Sequence, residues 1–357
     1  MAMLRNRCVG ILAFVAGAIT VASCQDPLAS SEDAQLARNH LDRILQLMET
    51  NSVNRNTIDW SDFRATVLAK APDPERLDDT FEAIHTALGL LGDNHSIYIA
   101  PPEYGVKLRN SKITCTGALL ASVTVPTSIG YVRARSLAEG SGTPEANSYA
   151  STLHAQMRAR DTSTVVAGWI VDLRGNGGGN MWPMIAGLGP ILGEGTVGHF
   201  INPAGNWSVW EYSGFASRTN GLVAQAVTNP YTLRNPNPKV AVLIDGRVAS
   251  SGEAAAIAFK QRPNTRFFGT PTCGLSTANV TFSIDDASLV LTVAKMADRT
   301  RLVYGDSVVP DEFISNVPNQ VDRAIAWLLE PASALVSQRD STRYTRPSSS
   351  EWRRRED

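Results

Sequence analysis

The chain has 357 residues, 43% of them hydrophobic and 19% charged, with a formal net charge of −1. That is an ordinary globular composition, with apolar mass enough for one large domain or two smaller ones. Without a basic patch interleaved with aromatic residues, nucleic acid is excluded as a partner, and no internal repeat marks a solenoid.

The N-terminus opens with the basic "MLRNR", continues in the apolar "VGILAFVAGAITVA" and closes on "VASC". The run is shorter than the roughly 20 residues of a spanning helix, so residues 1–23 are expected to be a secretory signal peptide. "VASC" also resembles a bacterial lipobox, which makes Cys24 the lipidated first residue of an envelope protein. The mature chain is then expected outside the cytoplasm, tied to a membrane facing the periplasm or the exterior. Residues 24–32 read as a polar tether.

Three amphipathic helices are expected next, over about 32–49, 59–70 and 74–91. Ala37, Leu41, Ile44, Leu45 and Met48 share one face of the first, and Leu77, Phe81, Ile84, Leu88 and Leu91 one stripe of the third. They make a helical cap domain, residues 33–100, which ends in the loop "GDNHS". From 105 to 333 the pattern becomes an α/β core. "KITCTGALLASVTV" and "IGYVRARSL" read as strands, and Thr143 followed by Pro144 opens a helix. "TVVAGWIVDL" and "KVAVLID" are buried strands, each running into a helix, and the alternation argues for βαβ crossovers. "GTVGHFI" and "WSVWEYS" form a β excursion; "TRFFG", "ANVTFSI" and "SLVLTVAK" read as strands and "QVDRAIAWLL" as the last helix. Residues 335–357, rich in Ser and Arg, are expected to be disordered.

Two strand-to-helix junctions carry the chemistry. In "DLRGNGGGN" four of the five positions 175–179 are glycine, which lets successive N–H groups converge on an anion or oxyanion; a plain tight loop explains the same residues. A dinucleotide fingerprint fits less well, because position 180 is Asn and no acidic residue follows at the required distance. At the second junction "VASSGEAA" places Ser250 where a strand enters a helix. Ser250 and Glu253 have capping-box spacing, and a nucleophile elbow needs a serine in the same place. Local sequence leaves both open. A serine nucleophile needs a base. His40 and His85 lie beside apolar helix stripes, His154 is expected to be exposed, and His199 in a strand is a weaker rival. His95, in the Gly/Asp/Asn loop, is the candidate that a scaffold presents for function. Of the four cysteines Cys8 leaves with the signal and Cys24 takes lipid. Cys115 and Cys273 either pair or are two small buried residues. No His/Cys cluster has metal spacing, so neither metal nor cofactor is expected.

"GYVRARSL", "IVDLRGNGGGN", "VLIDGRVASSGEAAAIA", "GTPTCGLSTANV" and "VVPDEFI" occur in the order found in the C-terminal processing (tail-specific) serine peptidase family. The chain resembles that family over roughly residues 80–330, including its Ser/His branch, the tricorn protease core and nisin-resistance protease. The resemblance implies a crotonase/ClpP-like spiral of βαβ units, here behind an N-terminal helical bundle. It also implies acyl-enzyme cleavage of peptides or protein C-terminal tails. In the Ser/Lys branch a lysine follows the "G-x-P-T-x-G" turn. Here Leu275 follows "GTPTCG", so the base falls to His95 of "GDNHS", with Ser250 favoured over Ser251 as nucleophile. The resemblance makes Gly177 or Gly178, together with the Ser251 amide, the oxyanion hole. Tyr304 stands where an orienting acid is expected, which leaves Asp306 or Ser96 to set the histidine, or a bare dyad. The PDZ domain of many members has no room between the loop and the core. The alternatives to a peptidase are a non-catalytic peptide- or lipid-binding protein on the same scaffold and an acyl-CoA enzyme, the latter opposed by the export signal.

Overall fold

The computed structural model of the protein describes residues 27–117 and 123–331. The signal peptide, Cys24, the start of the tether, residues 118–122 of one expected strand and the tail at 335–357 lie outside them.

Helix α1 (Pro27–Asn51) begins inside the stretch expected as tether. Helix α2 (Trp60–Leu68) is capped by Asp59, whose carboxylate accepts the N–H groups of Ser61 and Asp62 at 3.0 and 3.2 Å. The third helix is shorter than its apolar pattern: a 3₁₀ turn over Leu77–Thr80 leads into α3 (Phe81–Leu90). The apolar stripes meet in one cluster, with Leu41, Ile44, Leu45 and Met48 packed on Phe63, Val67, Ile84 and Leu88. Two short strands follow, β1 (Ile97–Ile99) and β2 (Lys107–Leu108). The strand expected from Lys112 does not form over 112–117. That segment crosses the surface as a linker and is held by a Cys115–Cys273 disulfide, not by a ladder.

The core continues with β3 (Ile129–Arg133), α4 (Pro144–Ser163), β4 (Gly168–Asp172), α5 (Met181–Leu192), β5 (Gly195–Ile201), β6 (Trp207–Ser213), β7 (Ala216–Thr219) and β8 (Leu222–Ala226). Then come β9 (Lys239–Ile244), α6 (Ser251–Phe259), β10 (Thr265–Gly269), β11 (Thr277–Ile284), β12 (Ala287–Asp298), β13 (Glu312–Phe313) and α7 (Val317–Leu329). Strands β7 and β8, absent from the sequence reading, extend the expected excursion into an antiparallel meander.

Five strands form a parallel sheet in the order β13-β10-β9-β4-β3. Side chains alternate across it. Trp169, Val171, Val240, Val242 and Phe267 face α5 and α6, while Ile170, Ala241, Leu243 and Phe268 face Trp327 of α7. Burial on both sides is why these strands read as unbroken apolar runs. The second sheet is antiparallel, in the order β2-β1-β12-β5-β6-β7-β8, with β11 on the other side of β12. Strand β12 joins the two regions. Its first half pairs with β1 and floors the helical layer through Leu289 and Leu291; its second half pairs with β5 and sends Met296 into the α/β core. The expected fold class stands: a mixed α/β core of strand–helix–strand crossovers behind a helical layer. Sharing β12 brings a loop of that layer to the core's edge.

Candidate active site

The glycine loop leaves the end of β4 and the serine turn leaves the end of β9, its neighbour in the sheet. Beneath the loop Arg174 forms a buried ion pair with Asp172, Nη2 to Oδ2 at 2.7 Å and Nε to Oδ1 at 2.8 Å. Its Nη1 also donates to Gln320 of α7 at 3.0 Å. Asp245 closes the two turns on each other by accepting the N–H of Gly175 at 3.0 Å and of Arg247 at 3.1 Å. The approach is close. A Cβ on Gly252 would lie 2.2 Å from the Asn176 carbonyl oxygen, and one on Gly178 would lie 2.9 Å from Ser250 Cβ. Any side chain at either position would force the loop and the serine apart.

Ser250 has φ 53° and ψ −121°, a left-handed conformation that side chains rarely adopt. An ordinary N-cap is extended; Ser250 departs from that conformation while keeping its capping-box contacts with Glu253. What holds the residue is Glu253. Its Oε2 accepts the N–H groups of Ser250 (3.0 Å) and Leu275 (2.8 Å), and its Oε1 accepts the Thr272 hydroxyl (2.5 Å) and the Gly274 N–H (2.9 Å). The capping box is present and also serves as a brace for a strained serine at a helix N-terminus. Burial pushes the Glu253 carboxyl up to about 7, against the pull of those four donors. Leu275, in the place of the lysine of the other branch, packs its side chain on Ala249 and Cys273 and gives only its amide.

The amides expected to form the oxyanion hole are partly engaged. Gly177 N–H donates to Ser136 Oγ at 2.8 Å and Gly178 N–H to Asn176 Oδ1 at 3.0 Å. Among the described residues the N–H groups of Gly179 and Ser251 have no partner. The Gly178 carbonyl and the Asn180 N–H bond Leu137, which turns Gly179 away from that strand, and the Gly179 carbonyl accepts the Ser251 hydroxyl at 2.6 Å. Gly179, with its N–H unpaired among the described residues, thus lies against the serine turn beside the expected Gly177 and Gly178.

His95 follows α3 in a loop ordered by Asp93, whose carboxylate accepts the N–H groups of His95 and Ser96 at 2.8 Å each and the Ser96 hydroxyl at 2.7 Å. The ring is buried, and its Nδ1 lies 2.8 Å from Thr277 Oγ1. Burial first, and the positive charge of Arg109 second, lower its pKa to about 4, so the imidazole is neutral at pH 7. Neither expected partner bonds the ring. The Asp306 carboxylate accepts the Ser307 N–H, and the Ser96 hydroxyl serves Asp93 and Thr292. Tyr304 bonds Asp298. Thr277 went unnoticed in the sequence because 182 positions separate it from His95 and a lone threonine gives no local signal.

Ser250, Ser251, Gly179 and Thr277 line one cleft of about 550 Å³, walled by Trp182, Phe200, Val280 and Met296. Ser250 and His95 share no hydrogen bond; Thr277, which bonds the imidazole, and Asn279, whose Nδ2 donates to the His95 carbonyl at 3.2 Å, both line the serine's cleft. The other histidines have structural places. His154 is fully buried, contrary to its expected exposure, because it bridges the Ala186 carbonyl and the Tyr231 N–H. His199 bonds the Asp298 carbonyl, His40 bonds the Tyr98 hydroxyl, and His85 is exposed.

The profile of Peptidase family S41 matches residues 128–311, just over half of the chain, which takes in the glycine loop, the Ser250 elbow and Thr277. The chain belongs to peptidase family S41. It is therefore a serine-type peptidase, as the motif order implied. A nisin-resistance protein of Lactococcus lactis subsp. lactis is 26% identical over 289 residues, which is 80% of this chain and 84% of that one. Among solved structures, a lipoprotein from Streptococcus agalactiae superposes with a TM-score of 0.60 at 22% identity, covering 83% of this chain and 96% of that one. The photosystem II D1 C-terminal processing protease superposes at 0.52 with 15% identity, covering 84% and 98%. These two likenesses establish the common fold.

Proposed function

We propose that this S41 chain is an exported, lipid-anchored peptidase that cleaves peptides or protein C-terminal tails with Ser250 as nucleophile and His95 as base. The observation that carries the reading is the strained Ser250 turn, held on Glu253 at the start of α6 and opening on the cleft that Thr277 shares. His95 Nδ1 and Thr277 Oγ1 lie 2.8 Å apart; in the tautomer this mechanism uses, Nδ1–H donates to the hydroxyl and the Nε2 lone pair is the proton acceptor. Small movements that bring base and nucleophile into hydrogen-bond reach are usual when substrate binds. Nε2 takes the Ser250 proton as Oγ attacks the scissile carbonyl. The N–H groups of Ser251 and Gly179, at the positive end of the α6 dipole, hold the oxyanion. The imidazolium then gives its proton to the leaving amine, and water releases the acyl group by the same route. Thr277 fills the orienting place for which Asp306 and Ser96 were candidates.

Cell-envelope placement rests on the signal-like residues 1–23 and Cys24, and is supported by the lipoprotein neighbour from Streptococcus agalactiae. No helix of the described residues is long and apolar enough to cross a membrane. The relative from Lactococcus lactis makes nisin the first peptide to offer. The decisive experiment is labelling with an activated fluorophosphonate, followed by peptide mapping. The reading expects one labelled serine, Ser250, and none in Ser250→Ala. Label elsewhere, or none on a chain that still hydrolyses peptides, overturns it.

A further inference from the structure

Strand β11 is bonded to β12 along its whole length, and no strand of the described residues pairs with its other edge. Among the described residues, no backbone group of residues 278–284 bonds anything outside that ladder. The two-residue turn at Asp285–Asp286 closes the pair Ile284–Ala287, and antiparallel alternation then fixes which groups point where. The N–H and C=O of Val280 and Phe282 face β12; those of Asn279 and Thr281 face outward. The partner strand obeys the same rule. Thr292, opposite Asn279, donates its N–H to Ser96 Oγ at 3.0 Å, and its C=O accepts the Val53 N–H at 2.8 Å, both on the side away from β11.

Open edges are usually blunted by charge, proline or a covering element. This one reads "TANVTFSI", eight residues without a charge or a proline, and Val280 and Thr281 are exposed. It also runs into the active cleft. Four consecutive residues, 277–280, line that cleft. The cleft also takes in Val293, Ala294 and Met296 of β12 and Phe200 of β5, so it lies across the sheet face and ends at β11, the last strand on that side. The first residue of the same strand, Thr277, holds His95.

We propose that the outer edge of β11 is a docking rail on which a substrate peptide adds as a strand, its main chain bonded to the backbone of Asn279 and Thr281. This inference rests on the peptidase reading and gives it a substrate geometry: an extended segment, recognised by its backbone and therefore broad in sequence. Side-chain preference is confined to alternate residues, the ones that turn toward the cleft walls.

The test uses the Ser250→Ala chain, the tightest-binding decapeptide from a random library, and that peptide with each amide N-methylated in turn. The expected result is period two: methyl groups at alternate positions weaken binding about tenfold or more, and those between change it by about twofold or less. On the catalytically intact chain, Thr281→Pro removes an outward N–H without touching the β12 ladder, a replacement that edge strands accept. It should raise KM about tenfold more than does Thr281→Val, which keeps the N–H. Should Thr281→Pro not fold, the methyl series decides. A response without alternation, or no library peptide bound by Ser250→Ala, overturns the rail. Cleavage without alternation sinks only the rail, whereas an intact chain that neither cleaves the library nor takes the fluorophosphonate sinks the peptidase reading.

Discussion

The two halves of the proposed catalytic pair are built in opposite ways. Ser250 comes from a strand–turn–helix unit of the parallel core, and its strained backbone is fixed by one buried carboxylate that accepts four hydrogen bonds. His95 comes from a loop of the helical layer, and its ring is held by one hydroxyl from a distant strand. The proposed nucleophile is fixed through its backbone, the proposed base through a single bond to its ring. The histidine's loop, by contrast, is ordered by Asp93 through the N–H groups of His95 and Ser96 and the Ser96 hydroxyl, so its backbone is anchored even though its ring has one partner.

The comparison is broken most severely at the serine itself. Ser250→Ala should lower peptide hydrolysis by at least about 10⁴-fold, measured as kcat/KM. Ser251→Ala, which loses only the bond to the Gly179 carbonyl, should keep most of the activity. The reverse ranking would move the nucleophile by one residue. Next comes the brace. All four partners of Glu253 are donors, and a glutamine presents an NH₂ to two of them. Glu253→Gln should therefore cost about 2–4 kcal/mol in urea unfolding and lower kcat through the released elbow. A fully stable, fully active Glu253→Gln would show that the turn holds its shape unaided.

Smaller effects belong to the base. Thr277→Val removes the Nδ1 partner and keeps the shape. Activity should fall by roughly 10- to 100-fold, with Thr277→Ser restoring most of it. An unaffected Thr277→Val would return the orienting role to another group. The smallest test is pH. His95 must be neutral to act, and burial holds its pKa near 4. Raising the pH through about 4 should therefore switch kcat/KM on, where an ordinary histidine would do so near about 6.5. Stability has the same sign: from about 6.5 down to 4 the unfolded chain takes up a proton that native His95 refuses, and the fold loses stability over that window. An acid limb at 6.5 would mean that the ring is solvated in the working enzyme.

What the sequence disclosed follows the same division. The strands "VAGWIVDL" and "KVAVLID", the Thr143 cap and the serine turn were legible because each is decided by neighbours along the chain. The Ser250–Glu253 spacing was legible but ambiguous; only the dihedral angles show that the cap is also a brace. The buried bridge made by His154 was hidden, since its partners Ala186 and Tyr231 are 32 and 77 positions away. Thr277 was hidden for the same reason. Which glycine amides were available depended on Ser136 and Asn176, side chains whose direction no local pattern encodes.

The Cys115–Cys273 bond spans 158 positions and ends beside Thr272 and Gly274, the residues that grip Glu253. Its second cysteine emerges from a ribosome or translocon only after strands β3 to β10 of the core, so the cross-link is a late mark of maturation. Material made in a reducing cytosol would carry two thiols at the root of the elbow's support. A thiol count is therefore a sensible quality check on any preparation before its turnover number is believed.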